Sequence, residues 1–223
     1  MVGALLDLVL PGSCAGCRDG PPPWCATCAG ALGPATVPVV AHAPPVLAVG
    51  RYRGPLRHAL LRYKERNRRD LAGAISELLG AAVDRLPAVS RETSGGLWLV
   101  PAPSRPGAAR ARGGDHTARL CRQVAARRPG VQVAPALRLH RRAEESVGLD
   151  AEQRAANLDG RVLVRHDRLP PPEAVVLLID DVVTTGATLR ACTAALAGAG
   201  CPVRAALVLC DATPRRRADP GSS

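Results

Sequence analysis

Two adjacent carboxylates followed by small hydroxyl residues form the stretch of this sequence with the clearest chemical meaning. Asp180 and Asp181 follow the apolar segment 174–179, which predicts a buried strand, and residues 184–188 lead into a second apolar segment. Ligands of open parallel sheets bind beyond the carboxyl ends of the strands. The start of a helix there would favour phosphate through its unpaired N–H groups and its dipole. Carboxylates repel phosphate, but they accept hydrogen bonds from a sugar diol or hold Mg2+.

These parts together predict a site for a phosphorylated ribose. We expect the ribose hydroxyls to contact Asp180 and Asp181. The phosphate would be held by the residues that open the next helix: Thr184, Thr185, Gly186, Ala187 and Thr188. A strand followed by an N-capped helix would explain Thr185 or Thr188, but it gives no reason for two neighbouring carboxylates. The phosphate motifs G-x-x-x-x-G-K and G-x-G-x-x-G are both absent.

Four cysteines near the N-terminus have the spacing of a metal site. Cys14, Cys17, Cys25 and Cys28 form C-x2-C-x7-C-x2-C. Two Cys-x-x-Cys turns can place four thiolates around one tetrahedral Zn2+, and such a site is structural because it leaves no open position. The Pro-rich segment between the turns is too short to fold without the metal. Two disulfides or a redox pair would use the same residues, but no export signal favours disulfides.

The other cysteines and the charge of the chain are less specific. Cys121, Cys192, Cys201 and Cys210 are scattered through apolar segments and predict small core residues. The 223-residue chain has a net charge of +11, with a single lysine among its 30 basic residues. This balance suits a polyanionic partner, either nucleic acid or a phosphorylated small molecule, although a generally basic proteome would also produce it.

Strands and helices alternate along the rest of the chain, and its core must be built from Val, Leu, Ile and Ala because there is no Phe. The alternation predicts an α/β fold with a mostly parallel sheet flanked by helices, covered on both faces. We expect strands at residues 46–52, 97–100, 131–137, 161–164, 174–179 and 203–209, of which the last closes the sheet. We expect helices at residues 54–64, 70–86, 115–128, 151–157 and 188–200.

The segment before Cys14 is apolar, but no basic residue precedes it and Asp7 interrupts it, which argues against a secretory signal. No stretch approaches the roughly 20 apolar residues needed to span a membrane. We therefore expect a cytoplasmic protein without membrane insertion. Its expected parts are a zinc-binding knuckle and linker at 1–40, an α/β domain at 41–213 and a basic flexible tail at 214–223.

The stretch VVLLIDDVVTTGATL resembles the phosphoribosyl-pyrophosphate (PRPP) signature of type I phosphoribosyltransferases. Within that superfamily the chain resembles the ComF family, which is named for its part in competence for DNA uptake. The resemblance extends to the four-cysteine knuckle, RYRGPLRHALLRYK, LVPAPSRP, RARGG and GLDAEQRAANLDGRVLV. It implies a type I phosphoribosyltransferase-like fold for residues 41–213, preceded by a small zinc knuckle.

The resemblance also implies roles for individual residues. Asp180 and Asp181 would hold the ribose hydroxyls, and residues 184–188 the 5-phosphate. The family's pyrophosphate loop would be formed by Ala102, Pro103, Ser104 and Arg105. A further segment reads Arg-Gly-aromatic-Asn-Gln in the family. Here it reads, without the aromatic residue or either amide, Arg112, Gly113, Gly114, Asp115 and His116.

By the same resemblance the chain would be a Mg2+-dependent phosphoribosyltransferase with an unidentified acceptor. A nucleophile would displace pyrophosphate at the anomeric carbon, while Mg2+ and Arg side chains stabilise the departing diphosphate. The alternative is a non-catalytic protein that binds PRPP or single-stranded DNA and assists the DNA-uptake machinery in processing transforming DNA. Pyrophosphate release from PRPP across a panel of bases and amines would separate the two.

Three further residues are candidates without an evident partner. Lys64, the only lysine, ends a predicted helix, where a cation is favourable in any case. His116 and His140 could act as acids or bases, but histidine needs a placed partner and the sequence reveals none. No Ser-His-Asp arrangement is predicted, because the nucleophile elbow G-x-S-x-G is absent.

Overall fold

A parallel sheet flanked by helices organises the computed structural model, which describes residues 12–86, 95–104, 107, 114–140 and 162–214. The strands in these ranges are β1 (Val46–Arg51), β2 (Leu97–Pro101), β3 (Val131–Val133), β4 (Leu137–Leu139), β5 (Val162–Val164), β6 (Val175–Val183) and β7 (Ala205–Asp211). The helices are α1 (Ala26–Gly30), α2 (Gly54–Glu65), α3 (Leu71–Asp84), α4 (His116–Ala126) and α5 (Ala187–Gly198), with a short 3-10 helix at His166–Arg168.

The main sheet has five strands in the order β1-β7-β6-β2-β3, and all four pairings are parallel. The other two strands, β4 and β5, form a separate antiparallel pair. The predicted α/β architecture with a mostly parallel sheet is therefore confirmed. The expectation that the last strand closes the sheet is wrong, because β7 pairs with β1 on one side and with β6 on the other.

Residues alternate between the two faces of the sheet, and each face has its own core. Along β6, Leu177 and Ile179 pack with the buried residues of α2, α3 and α4. Val176 and Leu178 belong to the opposite cluster, together with Leu189 of α5. Because both faces are covered, residues 175–179 of β6 and 205–210 of β7 read as continuous apolar runs. The scattered cysteines are all buried, as predicted: Cys121, Cys192, Cys201 and Cys210.

Four of the predicted helices are confirmed to within a few residues. Helix α2 has Pro55 in its first turn and buries one face at the predicted helical spacing, through Leu56, Ala59, Leu60 and Tyr63. Helix α4 begins directly after Asp115, which caps it with its side chain. Helix α5 begins after Gly186, so the phosphate loop predicted from the sequence leads into a helix as expected.

Two predicted strands have different bounds in the structure. The strand expected at 131–137 is divided into β3 and β4, which belong to different sheets, and Pro135 between them cannot donate a ladder hydrogen bond. The strand expected to end at 179 continues to Val183, because its last residues still pair with β7. Asp180 and Asp181 therefore lie within β6 rather than beyond its end.

Some predictions fall on residues that the structure does not describe. These are the helix at 151–157, Arg105 of the predicted pyrophosphate loop, Arg112 and the basic tail after residue 214. The division of the chain at residues 40 and 213 stays a prediction. Among the helices that are described, none has the length and apolar character needed to cross a membrane.

Candidate functional site

The four predicted cysteine ligands form a cluster that could hold a metal ion, here called the cysteine knuckle (Cys14, Cys17, Cys25 and Cys28). Their Sγ atoms all lie within 4.8 Å of one another. Cys14 Sγ is 3.6 Å from Cys28 Sγ, and Cys17 Sγ is 3.8 Å from Cys25 Sγ. Sulfurs bound at about 2.3 Å to a tetrahedral zinc ion would be about 3.8 Å apart, so the spacing fits such an ion. All eight cysteines are described and free, so the structure contains neither of the two alternative disulfides.

Backbone N–H groups donate to the sulfurs of the knuckle and prepare them to act as ligands. Gly16 N and Cys25 N each donate to Cys14 Sγ at 3.3 Å. Burial alone would raise the pKa of Cys14, but backbone hydrogen bonds outweigh it and lower the pKa to about 6. Backbone hydrogen bonds also lower the pKa of the exposed Cys17. Burial raises the pKa of Cys28, so a bound cation would have to displace its proton.

Gly16 shows how closely the backbone wraps around the sulfurs. A Cβ atom at this position would lie 2.5 Å from Cys28 Sγ and 2.9 Å from Pro55 Cβ. Any other residue would therefore displace either a ligand sulfur or the start of α2. Trp24 packs against the same sulfur cluster, so its fluorescence would report on the state of the knuckle.

Helix α2 is the platform on which the knuckle lies. Arg62 donates to Ala15 O at 2.6 Å, and His58 Nδ1 lies 3.1 Å from Gly16 O. These side chains satisfy carbonyl groups that a short segment without regular structure would otherwise leave to water. The orientation of the knuckle therefore depends on α2 as well as on its own cysteines.

A cavity of about 410 Å³ lies between the knuckle and α2. Arg18, Arg62 and Arg66 line it together with Glu65. Burial and the neighbouring arginines lower the pKa of Arg62. None of the described residues predicted to bind a phosphorylated ribose lines this cavity, so the predicted ligand site lies elsewhere in the fold.

The predicted carboxylates belong to a second cluster, here called the acidic site (Asp180, Asp181, Lys64, His116 and Ser104). Lys64 Nζ lies 2.7 Å from Asp181 Oδ2, and His116 Nε2 hydrogen-bonds to the same oxygen. Asp181 is only 9% exposed, so these contacts satisfy a buried carboxylate. Lys64 comes from the last turn of α2, His116 from the first turn of α4 and Asp181 from β6.

Ser104 connects the loop after β2 to the acidic site. Its Oγ lies 3.3 Å from His116 Nδ1, and its backbone N donates to Asp115 Oδ2 at 3.1 Å. The other oxygen of Asp115 accepts a hydrogen bond from Ala118 N at 3.0 Å and caps α4. Ser104, His116 and Asp181 therefore form a continuous chain of contacts between the β2 loop and β6. This Ser-His-Asp arrangement exists without the G-x-S-x-G motif, contrary to the expectation from the sequence.

The two carboxylates have opposite pKa shifts. Burial and the negative charge of Asp181 raise the pKa of Asp180 to about 8. Burial would also raise the pKa of Asp181, but the hydrogen bond from His116 and the charge of Lys64 outweigh it and lower the pKa to about 2. The surroundings therefore favour the negative charge on Asp181 and disfavour a second one on Asp180.

The predicted phosphate loop lies where β6 leads into α5. Gly186 is the N-cap of α5, with a left-handed φ of 77°, and as a glycine it has no side chain to cap the helix. Ala187 N donates to Thr185 Oγ1 at 3.4 Å, and Thr184 and Thr185 are exposed. A Cβ atom at Gly186 would lie 2.1 Å from Val40 Cγ1. Glycine is therefore required here by the backbone angle and by the linker, independently of any ligand.

Comparison with known proteins assigns no family to the chain. No family model matches the chain, and no curated protein matches it. The resemblance to type I phosphoribosyltransferases therefore stays an expectation that rests on the motifs in the sequence.

The structure brings several of the predicted ligand residues together. Ala102 N donates to Ile179 O at 2.8 Å, so the loop of Ala102, Pro103 and Ser104 starts beside the carboxylates of β6. The residues from Thr184 to Thr188 follow on the same segment as Asp180 and Asp181. The described part of the predicted site thus occupies one edge of the sheet, at the carboxyl ends of β2 and β6.

The partners of Asp181 could not be found from the sequence. Lys64 does lie at a helix end, as expected, but its ammonium group also pairs with Asp181. His116, expected to have no evident partner, contacts Asp181 across 65 positions of sequence. The one sequence signal for either residue is that Lys64 is the only lysine in the chain.

Proposed function

We propose that this chain binds PRPP, or a closely related phosphorylated ribose, at the acidic site and transfers its phosphoribosyl group. The observation that carries the proposal is the continuous segment from β6 through Gly186 to α5. In it, two carboxylates are followed by a helix whose N-cap is a glycine, so the N-cap residue offers no side chain to the first turn. A ligand with both a diol and a phosphate matches these two features together, and the resemblance of the same segment to the PRPP signature supports the same ligand.

The start of α5 supplies the phosphate half of the proposed site. Helix α5 has 12 residues, so its first N–H groups act together with a developed helix dipole. The exposed hydroxyls of Thr184 and Thr185 add donors at the same place. A 5-phosphate would therefore bind between these hydroxyls and the first turn of the helix, which begins with Ala187 and Thr188.

Asp180 and Asp181 supply the diol half. Asp181 uses Oδ2 for Lys64 and His116, and Asp180 uses Oδ1 to accept a hydrogen bond from Asp181 N at 2.8 Å. The second oxygen of each carboxyl group makes no hydrogen bond to another described residue and is left to accept a ribose hydroxyl. These hard oxygen donors also fit Mg2+. When bound, Mg2+ would neutralise charge on the diphosphate.

The loop after β2 lies where a leaving diphosphate would be held. Its backbone N–H groups are already used, since Ala102 N donates to Ile179 O and Ser104 N donates to Asp115 Oδ2. Ser104 Oγ is therefore the polar group that the described part of this loop offers to a ligand. During transfer, the anionic Asp181 would stabilise positive charge that develops on the ribose ring.

For the cysteine knuckle we propose Zn2+ in a structural role. Four cysteine sulfurs at tetrahedral spacing fill the coordination sphere and leave no position for a substrate. The ion would order a segment that packs on α2 but has little core of its own.

Calorimetric titration with PRPP and Mg2+ tests the proposed ligand. Replacing both carboxylates, by Asp180→Asn plus Asp181→Asn, should weaken binding by roughly ten- to a thousandfold, since charged hydrogen bonds contribute about 1.5–3 kcal/mol each. The exposed Asp167→Asn on the 3-10 helix removes one negative charge outside the site and should bind as wild type does. Wild-type protein that shows no binding at millimolar PRPP would contradict the proposal. Pyrophosphate release with a panel of bases and amines then separates transfer from binding alone.

A further inference from the structure

We propose that His116 is the positioning residue that sets the distance between the carboxylates of β6 and the loop that carries Ser104, with Lys64 holding Asp181 from α2. This inference rests on the proposed function. It identifies the side chains that hold the ribose-binding carboxylates of β6 at a fixed distance from the loop proposed to bind the diphosphate.

The imidazole of His116 contacts both halves of the site at once. Its Nε2 bonds to Asp181 Oδ2, its Nδ1 lies 3.3 Å from Ser104 Oγ, and the residue is only 6% exposed. The two ring nitrogens have a fixed separation, with no rotatable bond between the two contacts. His116 therefore acts as a rigid spacer between the β2 loop and β6.

The surroundings of His116 hold the ring in place. Tyr63 Oη donates to His116 O at 3.3 Å, and the Tyr63 ring lies edge-on to the imidazole with centroids 6.3 Å apart. Asp115 fixes the start of α4 and holds Ser104 N, so the residue before the spacer contacts the same loop. A group that positions ligand-binding residues works only when its own rotamer is fixed in this way.

Lys64 completes the arrangement from the opposite side. Its Nζ reaches the same oxygen of Asp181 as His116 does, 2.7 Å away, so two helices fix one carboxylate. Both contacts use Oδ2, and Oδ1 is left for a ligand. Lys64 and Tyr63 are adjacent on α2, so this helix supports both the carboxylate and the spacer.

Binding of three ligands that cover different parts of the site can show whether His116 acts as a spacer or only stabilises the fold. PRPP would contact both halves of the site, ribose 5-phosphate only β6 and the α5 loop, and inorganic diphosphate only the β2 loop. The variant His116→Ala should weaken PRPP binding by roughly tenfold or more, and the binding of each smaller ligand by less than about threefold, because small displacements matter most for a ligand that spans both halves. The exposed His166→Ala is the matched control and should change nothing.

Two further variants test the same contacts in case His116→Ala disturbs folding. His116→Gln keeps one donor and one acceptor at similar positions and should restore most of the PRPP affinity. Ser104→Ala removes the contact with His116 from the loop side without altering a buried residue. Because its hydroxyl also belongs to the diphosphate half, this variant should weaken the binding of PRPP and of inorganic diphosphate and leave that of ribose 5-phosphate unchanged. All variants are compared by thermal unfolding before titration.

The outcomes distinguish this inference from the proposed function. If wild type binds none of the three ligands, both are wrong. If wild type binds PRPP and His116→Ala binds it equally well, only the role of His116 is wrong. Equal losses for all three ligands, or a glutamine variant as weak as the alanine variant, would also overturn the spacer role while leaving PRPP binding intact.

Discussion

The cysteine knuckle and the acidic site are assembled in opposite ways. All four knuckle ligands, and backbone groups that donate to their sulfurs, come from residues 14–28. The acidic site instead collects side chains from α2, the β2 loop, α4 and β6. A local site of the first kind forms or fails as a unit with its metal. A dispersed site of the second kind depends on the whole sheet and should weaken by degrees when one contact is lost.

The largest expected effect is the loss of one knuckle ligand. Cys14→Ser should abolish binding of about one metal ion per chain, because structural zinc sites contribute on the order of 10 kcal/mol to folding and tolerate no missing thiolate. Metal analysis and Trp24 fluorescence measure the loss, and residues 12–30 should become sensitive to protease. Cys201→Ala, in the core far from the knuckle in sequence, should retain the metal. A Cys14→Ser protein that still holds one ion per chain would contradict the assignment.

The next effect is the removal of the charge on Asp181. Asp181→Asn should lower the free energy of unfolding by about 1–3 kcal/mol, because Lys64 and His116 lose a charged acceptor. Asp180→Asn removes an identical side chain that makes no ion pair with a described residue, and should cost less. Urea denaturation near pH 7 compares the two variants. Lys64→Met should be non-additive with Asp181→Asn, since partners in one ion pair couple. Full additivity would show that the pair contributes nothing.

A smaller effect concerns the glycine that opens α5. Gly186→Ala should destabilise the protein by about 1–2 kcal/mol, because alanine resists the left-handed angle and its Cβ meets Val40. Adding Val40→Ala should restore the stability lost to the steric contact, but not the stability lost to the left-handed backbone angle. Gly30→Ala is the control, since a Cβ atom there would have no neighbour within 4 Å. If Val40→Ala restores no stability to the Gly186→Ala variant in thermal or urea unfolding, the contact with Val40 does not contribute to the destabilisation.

The last expected effect is a pH dependence that distinguishes the two carboxylates and is spread over several pH units. The pKa of Asp180 rises from 3.8 to about 8 on folding, so the folded state binds more protons between these values. The free energy of unfolding should therefore fall as pH rises from 5 to 8, by at most about 1.4 kcal/mol per unit. The Asp180→Asn variant should not show this decrease in the free energy of unfolding. Asp181, whose pKa is lowered to about 2, should lose its stabilising effect only as pH falls toward that value. Parallel curves for wild type and Asp180→Asn would contradict the shift.

The same contrast explains how much of the molecule could be predicted from its sequence. The knuckle was predictable because Cys-x-x-Cys spacing is a local property of the chain. Most helices and strands were predictable because apolar runs and turn residues report burial directly. Asp180 and Asp181 were placed outside the strand because carboxylates are depleted in strands, yet pairing with β7 continues beyond them. Tertiary pairing decided that boundary rather than local preference.

The contacts that complete the acidic site had no local signature. His116 and Asp181 are 65 positions apart, and only the packing of α4 against the sheet brings them together. The requirement for glycine at 186 likewise comes partly from Val40, a linker residue on a distant segment. Spacing rules describe neighbours along the chain, so they cannot reveal contacts that the topology creates.

The strand order also has a consequence for how the protein is made. The edge strand β1 is the first of the described strands to be synthesised, but its ladder partner is β7, with Gly50 paired to Cys210. During translation β1 must remain without its neighbour until nearly the entire described chain has left the ribosome. Pairings between such distant segments fold slowly, and unpaired strand edges favour aggregation in the meantime. Nascent chains that stop before residue 205 should therefore be the species most dependent on chaperones.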